Sequence, residues 1–408
     1  MKLAHPNKAG ILFGVQYSPD GQRIIAGDYP GGVVQLWDAA TGKQLTTIET
    51  GRGYRRSTEY FFLTPDWKTV YVAQEKRKVT RIEKDEKRLY RWEFDGGVHA
   101  WDLSTGKLSD TYQHDPPRGI ILMELAPDGS TFMTCEELPG EGERSPKRAA
   151  SLWDVKSKQC RPLTADPGTY PSAYGVYSPD GKTLAVELYD ETSHTTTAVK
   201  LIDVATVREK LSIPITEKNA LLGFKTFTPD GRMLIAQVRN YKTHQHWIKT
   251  WDAATGRELA SYEGEPKDYF IWWSFLPDGK TLAVTNASRS EKSKLVLFDV
   301  RSGKVVKTVV LGERAVLSIP AVSPDGKWVA VITQVIPEDS RGFSVEPENA
   351  PQARIHLIDV AAGEVRETLI APTGFVRSVC FSPDGKTLAT GSSGQVLLWD
   401  LTRPPGVK

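Results

Sequence analysis

The sequence predicts an all-β fold of eight four-stranded antiparallel units, and three observations predict it. A Pro-Asp turn recurs eight times along the 408 residues. Each copy is followed, 17 to 37 residues on, by the Asp of a Trp-Asp dipeptide or a close relative. The composition is turn-rich, with 34 glycines, 26 prolines and 11 tryptophans. Length alone suggests two or three domains. A repeated period of roughly 50 residues instead marks a single domain over 1–408, built from one supersecondary unit copied along the chain.

The turns begin at Pro19, Pro65, Pro127, Pro179, Pro229, Pro277, Pro324 and Pro383. Proline supplies the fixed φ of the second turn position, Asp suits the third, and Gly tolerates φ > 0 at the fourth. Only the second copy departs, with Trp67 in place of Gly, and a different turn is expected there. An apolar, β-branched run precedes each turn and another follows it, as in Thr281-Leu282-Ala283-Val284. A third run ends in Trp37-Asp38, Trp101-Asp102, Trp153-Asp154, Ile202-Asp203, Trp251-Asp252, Phe298-Asp299, Ile358-Asp359 or Trp399-Asp400. An Asp-x-x-Thr-Gly turn often follows, as from Asp38 to Gly42, and leads into a fourth short run. Four short strands per unit, joined by hairpins, make one blade of a β-propeller.

The paired Pro-Asp-Gly and Trp-Asp signatures resemble the WD-repeat β-propeller family, in a bacterial-type form with degenerate repeats. The resemblance covers essentially the whole chain and implies eight blades; the alternative is seven blades plus a degenerate unit. The eighth unit ends at Thr402 without an outer strand, and Lys2-Leu3-Ala4-His5 can supply it. The family often buries a hydrogen-bond network built from a Gly-His pair and an Asp before the Trp-Asp strand. Asp95 matches that Asp position, but Gly-His is missing and Gln113-His114 is a partial echo. The network is therefore expected to be mostly absent, leaving apolar packing between blades to hold the fold.

Variation in unit length falls in the loop between the second and third strands. In a propeller these loops share one face, and insertions gathered on one face mark the functional side. The longest, from Glu75 to Phe94, sets eight cations against five anions. Its cations include Lys76, Arg77, Lys78, Arg81, Arg88 and Arg91, and the neighbouring segment adds Arg52, Tyr54, Arg55 and Arg56. Arg and Tyr favour interface hot spots; the competing reading is a solvated, salt-bridged hairpin. Tyr170, Tyr189, Tyr241 and Tyr269 fall near the same loops. The polar segment from Glu136 to Arg148 is expected to be mobile, and the one from Gln334 to Ala353 to be acidic and irregular.

Chemical motifs are sparse. His244 and His246 would present two imidazoles to one side of an extended segment, a weak start for a metal site with no third ligand. Gly-Lys-Thr at Gly181, Gly279 and Gly385 lacks the upstream Gly and helix of a phosphate loop. Glu187 or Asp28 could contribute to a site at a central channel. Trp272-Trp273 reads as inter-blade core plus one rim contact. The three cysteines fit no zinc, haem or redox motif and read as reduced structural thiols. The near-balance of 52 Lys and Arg against 50 Asp and Glu disfavours nucleic acid as a partner. No leader or 18-residue apolar run is visible, so no membrane span is expected, and the protein is expected to be cytoplasmic unless the chain is a domain of a longer one; a monomer is expected. The expected function is a non-catalytic platform for a protein or peptide, with no cofactor. The alternatives are an enzyme or cofactor-binding propeller using the channel, and a sensor or docking domain of a larger protein.

Overall fold

In the computed structural model of the chain, residues 1–4, 11–29, 32–50, 61–84, 87–142, 146–163, 169–190, 192–265, 268–288, 292–313, 315–335, 352–372 and 376–402 are described. The Pro-Asp segments form tight turns, closed as their residue types dictate. In the first, Gly21 takes φ +72° and its N–H donates to Ser18 O at 2.8 Å. The Ser18 hydroxyl donates to Asp20 Oδ1 at 2.5 Å and accepts from Arg23 N at 2.9 Å. The same hydroxyl–carboxylate pair recurs at Ser178/Asp180, Thr228/Asp230, Ser323/Asp325 and Ser382/Asp384. These bonds hold the Asp20, Asp180, Asp325 and Asp384 carboxyls below the usual range.

Trp67 does not force a different turn, contrary to expectation. Its N–H donates to Thr64 O at 2.9 Å, Thr64 Oγ1 donates to Asp66 Oδ1 at 2.7 Å, and the residue takes φ +54°. A left-handed Trp costs about 1–2 kcal/mol; its side chain is buried, and that burial outweighs the strain.

The Trp-Asp carboxylates close the second set of turns. Asp38 accepts from Thr41 N and Oγ1 at 2.8 and 2.7 Å, and Gly42 N donates to Asp38 O. Asp102 takes four such bonds from Ser104 and Thr105, which hold its carboxyl down at about 2. Asp154 and Asp252 play the same part, and Asp400 accepts from Thr402.

These hairpins build the eight antiparallel sheets of an eight-bladed β-propeller, so the count of eight stands. The first blade is Ile11–Tyr17, Arg23–Tyr29, Val33–Asp38 and Gln44–Glu49, in sheet order. The others repeat that order, and in blade three the second strand is the most covered. Thr131–Glu137 is buried throughout, whereas the outer strand Glu364–Ile370 alternates. Strands covered on both faces read as continuous apolar runs; strands covered on one face alternate. In the seventh blade, Ala315–Leu317 and Ala321–Val322 both pair with Trp328–Val335. The N-terminal strand Lys2–Ala4 completes the eighth sheet, as expected: Lys2, Leu3 and Ala4 pair with Leu397, Val396 and Gln395.

The chain divides into two compact units, one of residues 1–49, 235–251 and 258–408 and one of 50–234 and 252–257. Within the first, Leu297, Val331 and Ile358 join blades six and seven. Ile332, Phe381 and Leu388 join seven and eight; Leu12, Ile24, Trp37 and Ala389 join eight and one. Within the second, Tyr71 and Tyr112 of blade two pack on Phe132 and Trp153 of blade three, the last two rings stacked at 5.9 Å. Met133, Leu152, Leu184 and Val186 join blades three and four. Among the described residues no helix is long and apolar enough to cross a membrane.

Candidate functional site

The segment predicted as the longest loop is a long β-hairpin. Thr69–Lys84 and Lys87–Asp102 pair over their full 16 residues, from Thr69 opposite Asp102 to Lys84 opposite Lys87. At about 3.4 Å per residue each strand runs roughly 50 Å, far beyond the six to eight residues of its neighbours. The salt-bridged hairpin weighed against a contact loop is therefore the local structure.

Two features of blade three anchor it. The segment expected to be mobile supplies a short strand, Gly140–Gly142, which pairs with Trp92, Arg91 and Tyr90 of the hairpin. Arg91 Nε and Nη2 donate to Glu141 Oε1 at 3.0 and 2.6 Å, which raises the guanidinium's affinity for its proton. Arg77 Nη1 lies 3.6 Å from Glu137 Oε2, whose side chain is 5 % exposed. The underside of the hairpin buries Trp92 and Phe94.

Along the hairpin, register sets the remaining pairs. Lys76 faces Asp95 at 3.8 Å and Lys78 faces Glu93 at 3.1 Å, with lysine side chains 86 % and 76 % exposed. Arg81 Nη2 donates to Glu83 Oε1 at 3.0 Å. Exposed pairs of this kind are worth about 0–1 kcal/mol. The Arg88 side chain, and all of Arg52, Tyr54, Arg55 and Arg56, lie outside the described residues, as does most of the acidic 334–353 segment.

The missing Gly-His pair predicts that the buried polar network is mostly absent, and blade three nevertheless holds one around Glu136. Glu136, fully buried, accepts from Thr134 Oγ1, from Ser151 Oγ at 3.1 Å and from Arg118 Nη1 at 3.0 Å. His114 Nε2 lies 3.1 Å from Glu136 Oε1. Trp153 Nε1 donates to Thr134 Oγ1 at 2.9 Å, and the His114 ring packs edge-on to Trp153 at 4.7 Å. On the far side of the ring, Cys160 Sγ is 3.9 Å from His114 Nδ1. Burial alone would disfavour a charged ring; the bonds to Cys160 and Glu136 outweigh it and push His114 up to about 9. Burial likewise opposes ionisation of Glu136, and His114 holds its carboxyl below the usual range. Asp95 takes no part: it is exposed and faces Lys76. The network carboxylate comes from the second strand instead, two residues after Thr134. The signals in the sequence were the Gln113-His114 echo and two consecutive glutamates ending an apolar strand.

The other candidates are placed separately. His244 and His246 do not share an extended segment. His244 sits exposed in a turn at φ +60°, while His246 is buried with Nδ1 3.2 Å from Gln237 Nε2, and burial pushes it down to about 4. Tyr189 is half-buried with its hydroxyl 3.3 Å from His194 Nδ1. Tyr241 is half-buried with the Lys242 ammonium 5.9 Å from its ring centre. The side chains of Tyr170 and Tyr269 lie outside the described residues. Glu187 is buried, accepting from Thr196 Oγ1 and facing Lys225 Nζ at 3.7 Å. Asp28 is buried and accepts from Val33 N at 2.7 Å, bracing its own hairpin. Trp273 is buried and Trp272 half-buried.

Residues 363–400 match the family model described as WD domain, G-beta repeat. Two curated proteins are similar to the chain. One is the WD repeat-containing protein SL1-17 of Schistosoma mansoni, 27 % identical over 215 residues, covering 52 % of this chain and 61 % of the relative. The other is the uncharacterized WD repeat-containing protein sll1491 of Synechocystis, 28 % identical over 196 residues, covering 47 % and 48 %. The matched region thus spans about half to three-fifths of the length of these relatives.

Proposed function

The chain is a WD-repeat β-propeller, and from that premise we propose that it is a non-catalytic platform whose blade-two hairpin, braced by blade three, holds a protein or peptide partner. Propellers of this family generally serve as protein-interaction scaffolds, which is an argument from the fold. One observation carries the finer reading. The largest insertion in the chain is an ordered hairpin that leaves its cations at the surface. Arg77 and Arg91 fix its position, and Lys76, Lys78 and Arg81 are the contact residues. A partner's carboxylates can replace Asp95, Glu93 and Glu83 at little cost, because exposed pairs contribute so weakly. Arg52, Tyr54, Arg55 and Arg56, which lie outside the described residues, are further contact candidates on sequence grounds alone.

The test is affinity capture from the native cell with the wild-type chain and with K76E/K78E/R81E. The variant should keep its thermal midpoint within about 2 °C, since surface substitutions shift stability by about 0.5 kcal/mol or less. It should lose the partners that the wild type retains. Identical capture by the two chains would remove the hairpin from the proposal.

A further inference from the structure

We propose that Cys160 is a thiol-modification site, its nucleophile prepared by His114 and Glu136. The cluster does not depend on the platform reading. Cys160 opens the outer strand of blade three, Cys160–Pro162, and is exposed, as are the four residues before it. Its sulfur sits 3.9 Å from His114 Nδ1, within hydrogen-bond reach for sulfur. The opposite ring nitrogen lies 3.1 Å from Glu136 Oε1, and Glu136 is itself fixed by Arg118, Thr134 and Ser151. This is the order of parts that activates a cysteine: nucleophile, imidazole, and a buried carboxylate that orients the ring and keeps it charged.

The other two thiols lack such a partner set. Cys135 is buried and Cys380 half-buried, and burial pushes both up to about 12. The chain therefore singles out one cysteine, at an open sheet edge where a bulky adduct meets solvent.

The substrate class is a low-molecular-weight disulfide. The Cys160 thiolate attacks one sulfur of the disulfide; the S–S bond breaks, a new bond forms to Cys160 Sγ, and the other half leaves as a thiolate that takes up a proton. Cys160 is oxidised and the leaving sulfur reduced, so no further oxidant is needed.

The full chain is treated at neutral pH with dithiodipyridine, a neutral aromatic disulfide whose released thione is followed by absorbance, and the label is mapped by peptide mass spectrometry. Cys160 should label first, about tenfold faster in the folded chain than in the same chain unfolded in urea. Cys160→Ser should remove the fast phase, and His114→Gln should slow it by a similar factor. The folded-to-unfolded ratio is read on the wild type, so the test holds even where the His114 variant folds poorly. Fast labelling at Cys135 or Cys380, or a Cys160 no faster folded than unfolded, would overturn the proposal.

Discussion

Glu136→Gln isolates the charge of the buried network from its shape. Glutamine keeps one acceptor oxygen, enough for Thr134 or for Ser151 and Arg118 but not for all three, and removes the negative charge beside His114. The wild-type ring is raised from 6.5 to about 9. At about 1.4 kcal/mol per pH unit this is worth about 3 kcal/mol. The folded value is raised, so the contribution is fully present below pH 6.5 and is lost as pH rises through 9. Above that range the wild-type ring is neutral, and the carboxylate's remaining charged partner is Arg118, 30 % exposed and worth less. Cys160 supplies part of that shift and solvent screens part of it, so Glu136→Gln should cost about 2 kcal/mol at pH 6 and about 1 kcal/mol near pH 10. Urea unfolding followed by tryptophan fluorescence, with both chains at both pH values, measures the difference. An equal loss at the two pH values, or less than about 1 kcal/mol at pH 6, would refute the charged pair.

The acid side of the stability profile rests on other groups. Burial lowers His246 and His356 to about 4, so their contribution is present above pH 6.5 and is lost as pH falls towards 4. Thermal midpoints taken between pH 7 and 4 should fall, and His356→Gln should flatten part of that slope; an unchanged slope would count against it. Trp67→Gly relieves left-handed strain of about 1–2 kcal/mol but forfeits a buried Trp worth about 3–5 kcal/mol. The midpoint should drop by the equivalent of about 2 kcal/mol, and a rise would show that strain, not burial, dominates at that turn.

What the sequence made legible was everything set by local chemistry. Proline, Asp and Gly fix their turns through bonds spanning two to five residues, so eight copies could be read without tertiary information. The completion of blade eight by Lys2–Ala4 was also readable, because an incomplete last unit and a stray first strand have one economical pairing. Tertiary context decided the rest. Trp67 looked incompatible with its turn because the burial that outweighs its strain is long-range. Gly140–Gly142 looked like a loose polar loop because its partner strand lies some 50 residues away, on another blade. Glu136 is not legible because the family pattern puts a network carboxylate ahead of the Trp-Asp strand, whereas Glu136 lies on the strand paired with it.

The hairpin's charge changes meaning for the same reason. Counted along the chain, residues 75–94 carry eight cations against five anions, an excess that suggests a positive patch. Pairing sets each described cation against an acid: Lys76 against Asp95, Lys78 against Glu93, Arg81 against Glu83, Arg91 against Glu141 and Arg77 against Glu137. Two of those acids, Glu137 and Glu141, come from blade three, so part of the excess neutralises the neighbouring blade and holds the hairpin in place. What is left at the surface is a row of weak, exchangeable pairs. A partner that binds there gains by exchange and not by neutralising a bare charge. Its affinity should then come from shape and apolar contact, with Val79 exposed between the lysine pairs and the Thr80–Arg91 pair. Salt should slow association more than it weakens the complex, because screening beyond about 8–10 Å suppresses steering while close contacts persist.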